Sequence, residues 1–274
     1  MNRLCRPAAL AALGLGTLVA QAHATTLPFS TGFEAGEGYT NGAQLATNAN
    51  WIGDGQDTTG WLITNGTVGG SGAASGSQWI LASGASNTVT KFQWTVAPVT
   101  DFTSNAIIEG SADVKIASPA SGTINRTSIA GLQMYNAAVN RIGDISLIMD
   151  AQNLYGGGAN RMFIRLIFGD NSGFLYDLGV SNALNQYINL GLSVNFQANT
   201  VTGYVNGVAL PDVGTANGYT DFHDFDMYLA SSTTSAGTRG RGGFDNYQVS
   251  HIPAPGAVAL LGIGGLVATR RRRA

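Results

Sequence analysis

The chain has 274 residues, of which only 11% are charged, against roughly a quarter in a typical soluble domain. Outside the end segments, which hold Arg3, Arg6, Arg270, Arg271, Arg272 and Arg273, eight basic residues face sixteen acidic ones. That net charge near −8 argues against a nucleic-acid partner, and the single cysteine, Cys5, leaves residues 25–252 without disulfides, thiolate metal sites or a cysteine nucleophile.

In chain order, Arg3 and Arg6 come first and an apolar run over 8–20 follows. Its 13 residues suit the core of a secretion signal and are too few to span a bilayer. The run has no polar face, as a first helix of the domain would need. Ala22 and Ala24 set small residues at the −3 and −1 positions of a cleavage site. Cleavage after Ala24 and export through the Sec machinery are the expectation.

The body is rich in Gly, Ser, Thr and Asn and contains no amphipathic helix longer than three turns. Short alternating runs predict strands over 61–65, 78–82, 91–96, 106–116, 127–135, 144–150, 161–168, 173–178, 187–195, 200–205, 208–210, 224–230 and 242–250. Two hairpins are readable. One joins 162–168 to 174–178 across a Gly-containing connection at 169–173. The other joins 200–205 to 208–210 across Asn206-Gly207, two residues that tolerate positive φ. The Gly/Ser/Ala stretch over 66–76 reads as a loop within one domain, since the strands on both sides share one style. The fold class expected is all-β, an antiparallel β-sandwich over 25–251. An N-terminal signal helix over 1–24 and a short C-terminal hydrophobic helix over 252–274 would flank it.

Several residues are candidates for chemistry. Asp221, Asp224 and Asp226 crowd one stretch around His223, and Asp245 precedes Asn246 near the end. Carboxylates grouped in this way suit a hard cation such as Ca²⁺. The alternatives are a solvated loop entering a strand for the first group, and hydrogen bonding to turn backbone for the second. Glu34 and Glu37 would approach Asp245 if the two ends of the domain pair. Arg239 and Arg241 could grip an anionic sugar or simply be solvated. Of Trp51, Trp61, Trp79 and Trp94, at least two should be core, and any exposed one would offer a stacking platform for a sugar ring. Only three glutamates exist, Glu34, Glu37 and Glu109, and none stands in the closely spaced Glu-x-Asp-x-x-Glu pattern of laminarinase-type hydrolases. A Ser-His-Asp arrangement would have to use His223, because His251 abuts the tail.

The C-terminus runs through Pro253, Ala254 and Pro255 into an uncharged stretch over 256–269 and then four arginines. By the positive-inside rule those arginines stay cytoplasmic. The stretch is short and glycine-rich for a lasting membrane helix, so a transient inner-membrane insertion is expected. This layout resembles the PEP-CTERM sorting signal, except that Ala254 stands where that motif has Glu. The resemblance implies an exosortase-type transpeptidase as partner and delivery to the cell surface or extracellular matrix of a Gram-negative-type bacterium. The segments Gly32-Phe-Glu-Ala-Gly-Glu-Gly-Tyr39, Thr200-Val-Thr-Gly-Tyr-Val-Asn-Gly207 and Gly243-Phe-Asp-Asn-Tyr-Gln-Val249 together resemble the concanavalin A-like, or laminin G-like, jelly roll. That resemblance implies pairing of first and last strands and a structural Ca²⁺ near Asp245. The function expected is a non-enzymatic surface or matrix protein that binds extracellular polysaccharide. A purely structural or adhesive protein is the first alternative, and a glycan hydrolase or lyase the second.

Overall fold

The computed structural model describes residues 27–55, 60–68, 70–83, 90–99, 107–117, 127–181, 183–231 and 241–252. The signal segment with Ala22 and Ala24, and the sorting segment from Pro253 onward, lie outside the described residues, as do the helices expected there. Among the described residues no helix is long and apolar enough to cross a membrane.

Fifteen strands are described. They are β1 (Phe29–Thr31), β2 (Ile52–Gly55), β3 (Trp61–Thr64), β4 (Trp79–Ala82), β5 (Thr90–Val99), β6 (Ile107–Ala117), β7 (Ser128–Tyr135) and β8 (Arg141–Asp150). There follow β9 (Arg161–Phe168), β10 (Gly173–Ser181), β11 (Ile188–Asn195), β12 (Thr200–Val205), β13 (Val208–Thr215), β14 (Phe222–Ser231) and β15 (Arg241–Ile252). They form two antiparallel sheets. One has eight strands in the order β13-β12-β11-β6-β15-β4-β3, with β1 also paired to β15. The other has seven, in the order β10-β9-β8-β7-β14-β5-β2.

The sequence explains the sandwich through period-2 alternation. On β14, Phe225, Met227 and Leu229 enter the core, so Asp224, Asp226 and Tyr228 face the other way. On β8, Ile145, Leu147 and Met149 enter it, leaving Asp144, Ser146 and Asp150 on the outer face. From the opposite sheet come Ala112 and Val114 of β6, Leu190 and Leu192 of β11, and Phe244 and Tyr247 of β15. Burial of each large apolar side chain contributes about 2 kcal/mol. Gly110 is required here, because a Cβ at that position would stand 2.5 Å from the Phe225 ring.

The predicted strands appear, six of the thirteen extended by a few residues and the others within one residue of the expected bounds. Two short ones, β1 and β2, were not readable. The Asn206-Gly207 turn has φ of 51° and 75°, the positive pair a two-residue hairpin needs. Trp51, Trp61 and Trp79 are all buried, which meets the expectation that at least two are core, while the Trp94 side chain is outside the described set. The glycine-rich loop over 66–76 folds back onto the eight-stranded sheet. There Ala74 and Ser75 donate their N–H groups to Asp245, and Lys115 donates to the Gly72 carbonyl.

The ends of the domain pair as expected, Phe29 opposite Val249 and Thr31 opposite Tyr247. The pairing brings the loop anchors together. Glu34 Oε1 accepts from the N–H groups of Ser77 and Gln78, two residues beyond the pair held by Asp245.

Candidate functional site

The outer face of the seven-stranded sheet is polar yet closed. Gln133 of β7 stands in one cross-strand row between Asp144 of β8 and Asp226 of β14. In the next row, Ser146 lies opposite Arg165 of β9. A strand face turned from the core ordinarily meets water. Here Asp144 has no exposed surface, Tyr228 has 2% and Gln133 has 6%.

Hydrogen bonds make this burial tolerable, since a buried charge must be partnered. Gln133 Nε2 donates to Asp144 Oδ2 at 2.6 Å, and the Tyr228 hydroxyl donates to the same carboxylate at 3.1 Å. Ser146 donates to Asp144 Oδ1 at 3.3 Å. Tyr135 in turn donates to Gln133 Oε1, fixing which way that amide points. Arg165 Nη2 donates to the Tyr228 oxygen at 2.7 Å and lies 3.5 Å from Asp144 Oδ2. Burial pushes the Tyr228 hydroxyl well above the usual tyrosine range, and the Asp144 charge pushes it further, so it remains a donor at neutral pH. Burial works against the Arg165 charge, and Tyr228 and Asp144 more than offset it.

The edge of this lattice opens to solvent. The Arg165 side chain is 27% exposed, although its Nε is itself buried. Beside it stands Tyr155, 44% exposed, whose ring meets Phe163 edge-on at 5.7 Å. The loop over 151–160 sets Tyr155 there, because its N–H donates to the buried Asp150 carboxylate. The arrangement is a fixed polar floor with one aromatic face and one guanidinium edge available to a ligand.

The residues singled out from the sequence are distributed differently. Asp221, Asp224 and Asp226 lie on or just before β14, whereas Asp245 lies on β15 in the other sheet. Asp221 accepts from the Ala137 N–H and Asp224 lies 3.2 Å from His223 Nδ1. Asp245 accepts from the N–H groups of Ala74, Ser75 and Asn246, the turn-binding alternative. Burial is the main cause that raises its carboxyl to about 6. Those three N–H donors take up most of the carboxylate's roughly four acceptor positions. Among the described residues no group of three or more His, Cys, Asp or Glu side chains could hold a metal ion. Arg239 is outside the described residues, and Arg241 opens β15.

Gln133, Asp144, Tyr155, Arg165 and Tyr228 were not singled out from the sequence. The signal available was polar residues interrupting apolar strands at period two.

No family model matches the chain, and no curated protein matches it. Solved structures do. The chain is similar to a GH16 protein of the Bacteroides ovatus mixed-linkage glucan locus in complex with its G4G4G3G product, with TM-score 0.49 and 13% identity over 81% of this chain and 99% of that one. It is also similar to an alginate lyase in complex with dimannuronate, with TM-score 0.43 and 12% identity over 64% of this chain and 75% of that one. A third is the carbohydrate recognition domain of Emp47p, with TM-score 0.41 and 10% identity over 74% and 88% of the two chains. The chain spans only 17% of a sialidase it also matches. The strand order of the two sheets makes the fold a jelly-roll β-sandwich. These likenesses, with TM-scores of 0.49 and below, add no argument of their own.

Proposed function

We propose that this protein is a non-enzymatic, exported surface or matrix protein that binds extracellular polysaccharide on the outer face of its seven-stranded sheet. In this reading Sec exports it and an exosortase-type transpeptidase sorts it through Pro253, Ala254 and Pro255 and the arginine cluster. One observation carries the binding role. A buried, interlocked polar lattice around Asp144 runs out to an exposed Tyr155 ring and a partly exposed Arg165 side chain. Sugars are recognised in this way, with an aromatic face under the ring and fixed planar polar groups for the hydroxyls.

A glycan array of the domain over 25–252, run with and without Ca²⁺, tests it. Binding should weaken about tenfold in Tyr155→Ala and in Arg165→Ala, near the upper end of what a stacking contact contributes. No binding in either condition would leave the purely structural or adhesive role. Equal melting temperatures with and without Ca²⁺ would remove the structural cation expected near Asp245. An intact Arg270-to-Arg273 tail on the surface protein, by mass spectrometry, would contradict transpeptidase sorting.

The hydrolase or lyase reading rests on a separate observation. Asp144 and Asp226 are two strands apart in one row, about 10 Å by strand spacing, near the wider separation used by inverting glycosidases. Both have no exposed surface, which argues against their meeting substrate and water. Release of reducing ends or unsaturated sugars from a bound glycan would reverse this judgement.

A further inference from the structure

The opposite face of the molecule carries a cavity of about 200 Å³, on the outer surface of the eight-stranded sheet. Its floor follows one cross-strand row, in which Gln248 of β15 lies opposite Ser111 of β6, Ser111 opposite Gly191 of β11, and Gly191 opposite Tyr204 of β12. Glu109 and Ser250 face each other in the adjoining row and close one end. Asn189 and Gly207 close the other.

Gly191 makes the hollow. A Cβ there would sit 3.4 Å from Tyr204 Cβ and 3.5 Å from Ser111 Cβ, ordinary packing distances. Its backbone is outside the left-handed region. Neither steric crowding nor conformation therefore demands glycine at this position. What glycine supplies is a socket one side chain deep between a tyrosine and a row of polar groups.

The walls retain hydrogen-bonding capacity. The Glu109 carboxylate, the Tyr204 hydroxyl and the Ser250 hydroxyl form no hydrogen bond among the described residues, and Gln248 engages only one amide N–H, with Ser111 Oγ at 2.8 Å. Among the described residues, Glu109 is the only charged one lining the cavity. Asp113 lies behind Asn189, which donates to it at 2.8 Å. The local charge is therefore negative and disfavours a uronate or sulfated sugar.

We infer that this cavity is a second saccharide site, which takes one neutral hexopyranose unit of a polysaccharide. The ring stacks on Tyr204, Glu109 accepts from adjacent hydroxyls, and Gln248 and Ser250 hold the opposite edge. The inference is independent of the site on the seven-stranded sheet.

Amide NMR titration of the full-length chain with laminaritetraose, cellotetraose and mannotetraose tests it, with oligoguluronate as the charged control. At least one neutral tetraose should shift the amides of Ser111, Gly191, Tyr204 and Gly207, and oligoguluronate should not. Gly191→Ala fills the socket without a clash, so it should keep the wild-type melting temperature and lose at least tenfold in affinity. Tyr204→Ala should lose a similar factor, and Tyr155→Ala none at this site. The proposal is overturned if no neutral tetraose shifts these amides, or if Gly191→Ala binds as well as wild type. Shifts there from oligoguluronate would overturn the selectivity.

Discussion

Lys115 is a fully buried cation lying 3.7 Å from the centre of the Trp79 ring and 4.2 Å from that of Tyr187. Its ammonium donates to the Gly72 carbonyl at 2.7 Å, so it ties the glycine-rich loop to β6. Burial lowers its pKa to about 8, against the opposing pull of Asp245. An unfolded lysine holds its proton to about pH 10.4. Between these values the unfolded chain binds more protons than the folded one, and stability therefore rises with pH from about 8 to about 10.4. Relative to Lys115→Met, which lacks the titration, the wild-type melting temperature should climb over that window. Parallel pH profiles of the two proteins would count against a buried, titrating Lys115. Charge counting could not locate this residue, because Lys115 looks like any outward position of a half-buried strand. Asp144 and Tyr228 teach the same lesson. Alternation shows that they face away from the core, but whether that face is covered depends on the tertiary structure.

Strands differ in how much of their pairing is written locally. β9 and β12 match their expected spans because each is bounded by turn residues, Asn160 before one and Asn206-Gly207 after the other. β1 has three residues and no alternation of its own, and it exists because β15 offers it a partner. β13 runs to Thr215, five residues beyond the expected Leu210, through Pro211 and Gly214. Pro211 is tolerated because β13 is an edge strand. Gly214 is demanded by packing, since a Cβ there would overlap the Phe168 ring. Gly214→Ala should therefore destabilise the protein by about 1–3 kcal/mol in urea unfolding. A change under about 0.5 kcal/mol would mean that β13 can lift away from β9 without loss.

At the scale of the molecule, a body without cysteines depends on its core and on long-range pairing. β15 is the strand that joins most of it. It pairs with β6 along nearly its whole length, with β4 at its start and with β1 near its end. A chain ending before Arg241 would leave Phe244, Tyr247 and Val249 out of the core, three large apolar side chains worth about 2 kcal/mol each. Against a typical stability of 5–15 kcal/mol, that loss together with the ladder should abolish cooperative unfolding by circular dichroism. A sharp transition in the shortened chain would show that the other fourteen strands suffice.

The antiparallel match of β1 to β15 also determines how the molecule meets force. Residues 27 and 252 leave the sandwich at the same end, because Phe29 lies opposite Val249. Pulling those two points apart would peel three residue pairs in sequence, like a zipper, at low force. A load that enters at Ile252 and is resisted by either sheet face acts instead along the β15–β6 ladder, from Ile252 opposite Ile107 to Arg241 opposite Ala117. Its hydrogen bonds are then sheared together. The body is thus weak against tension between its own ends and strong against tension between its C-terminal strand and whatever its faces hold.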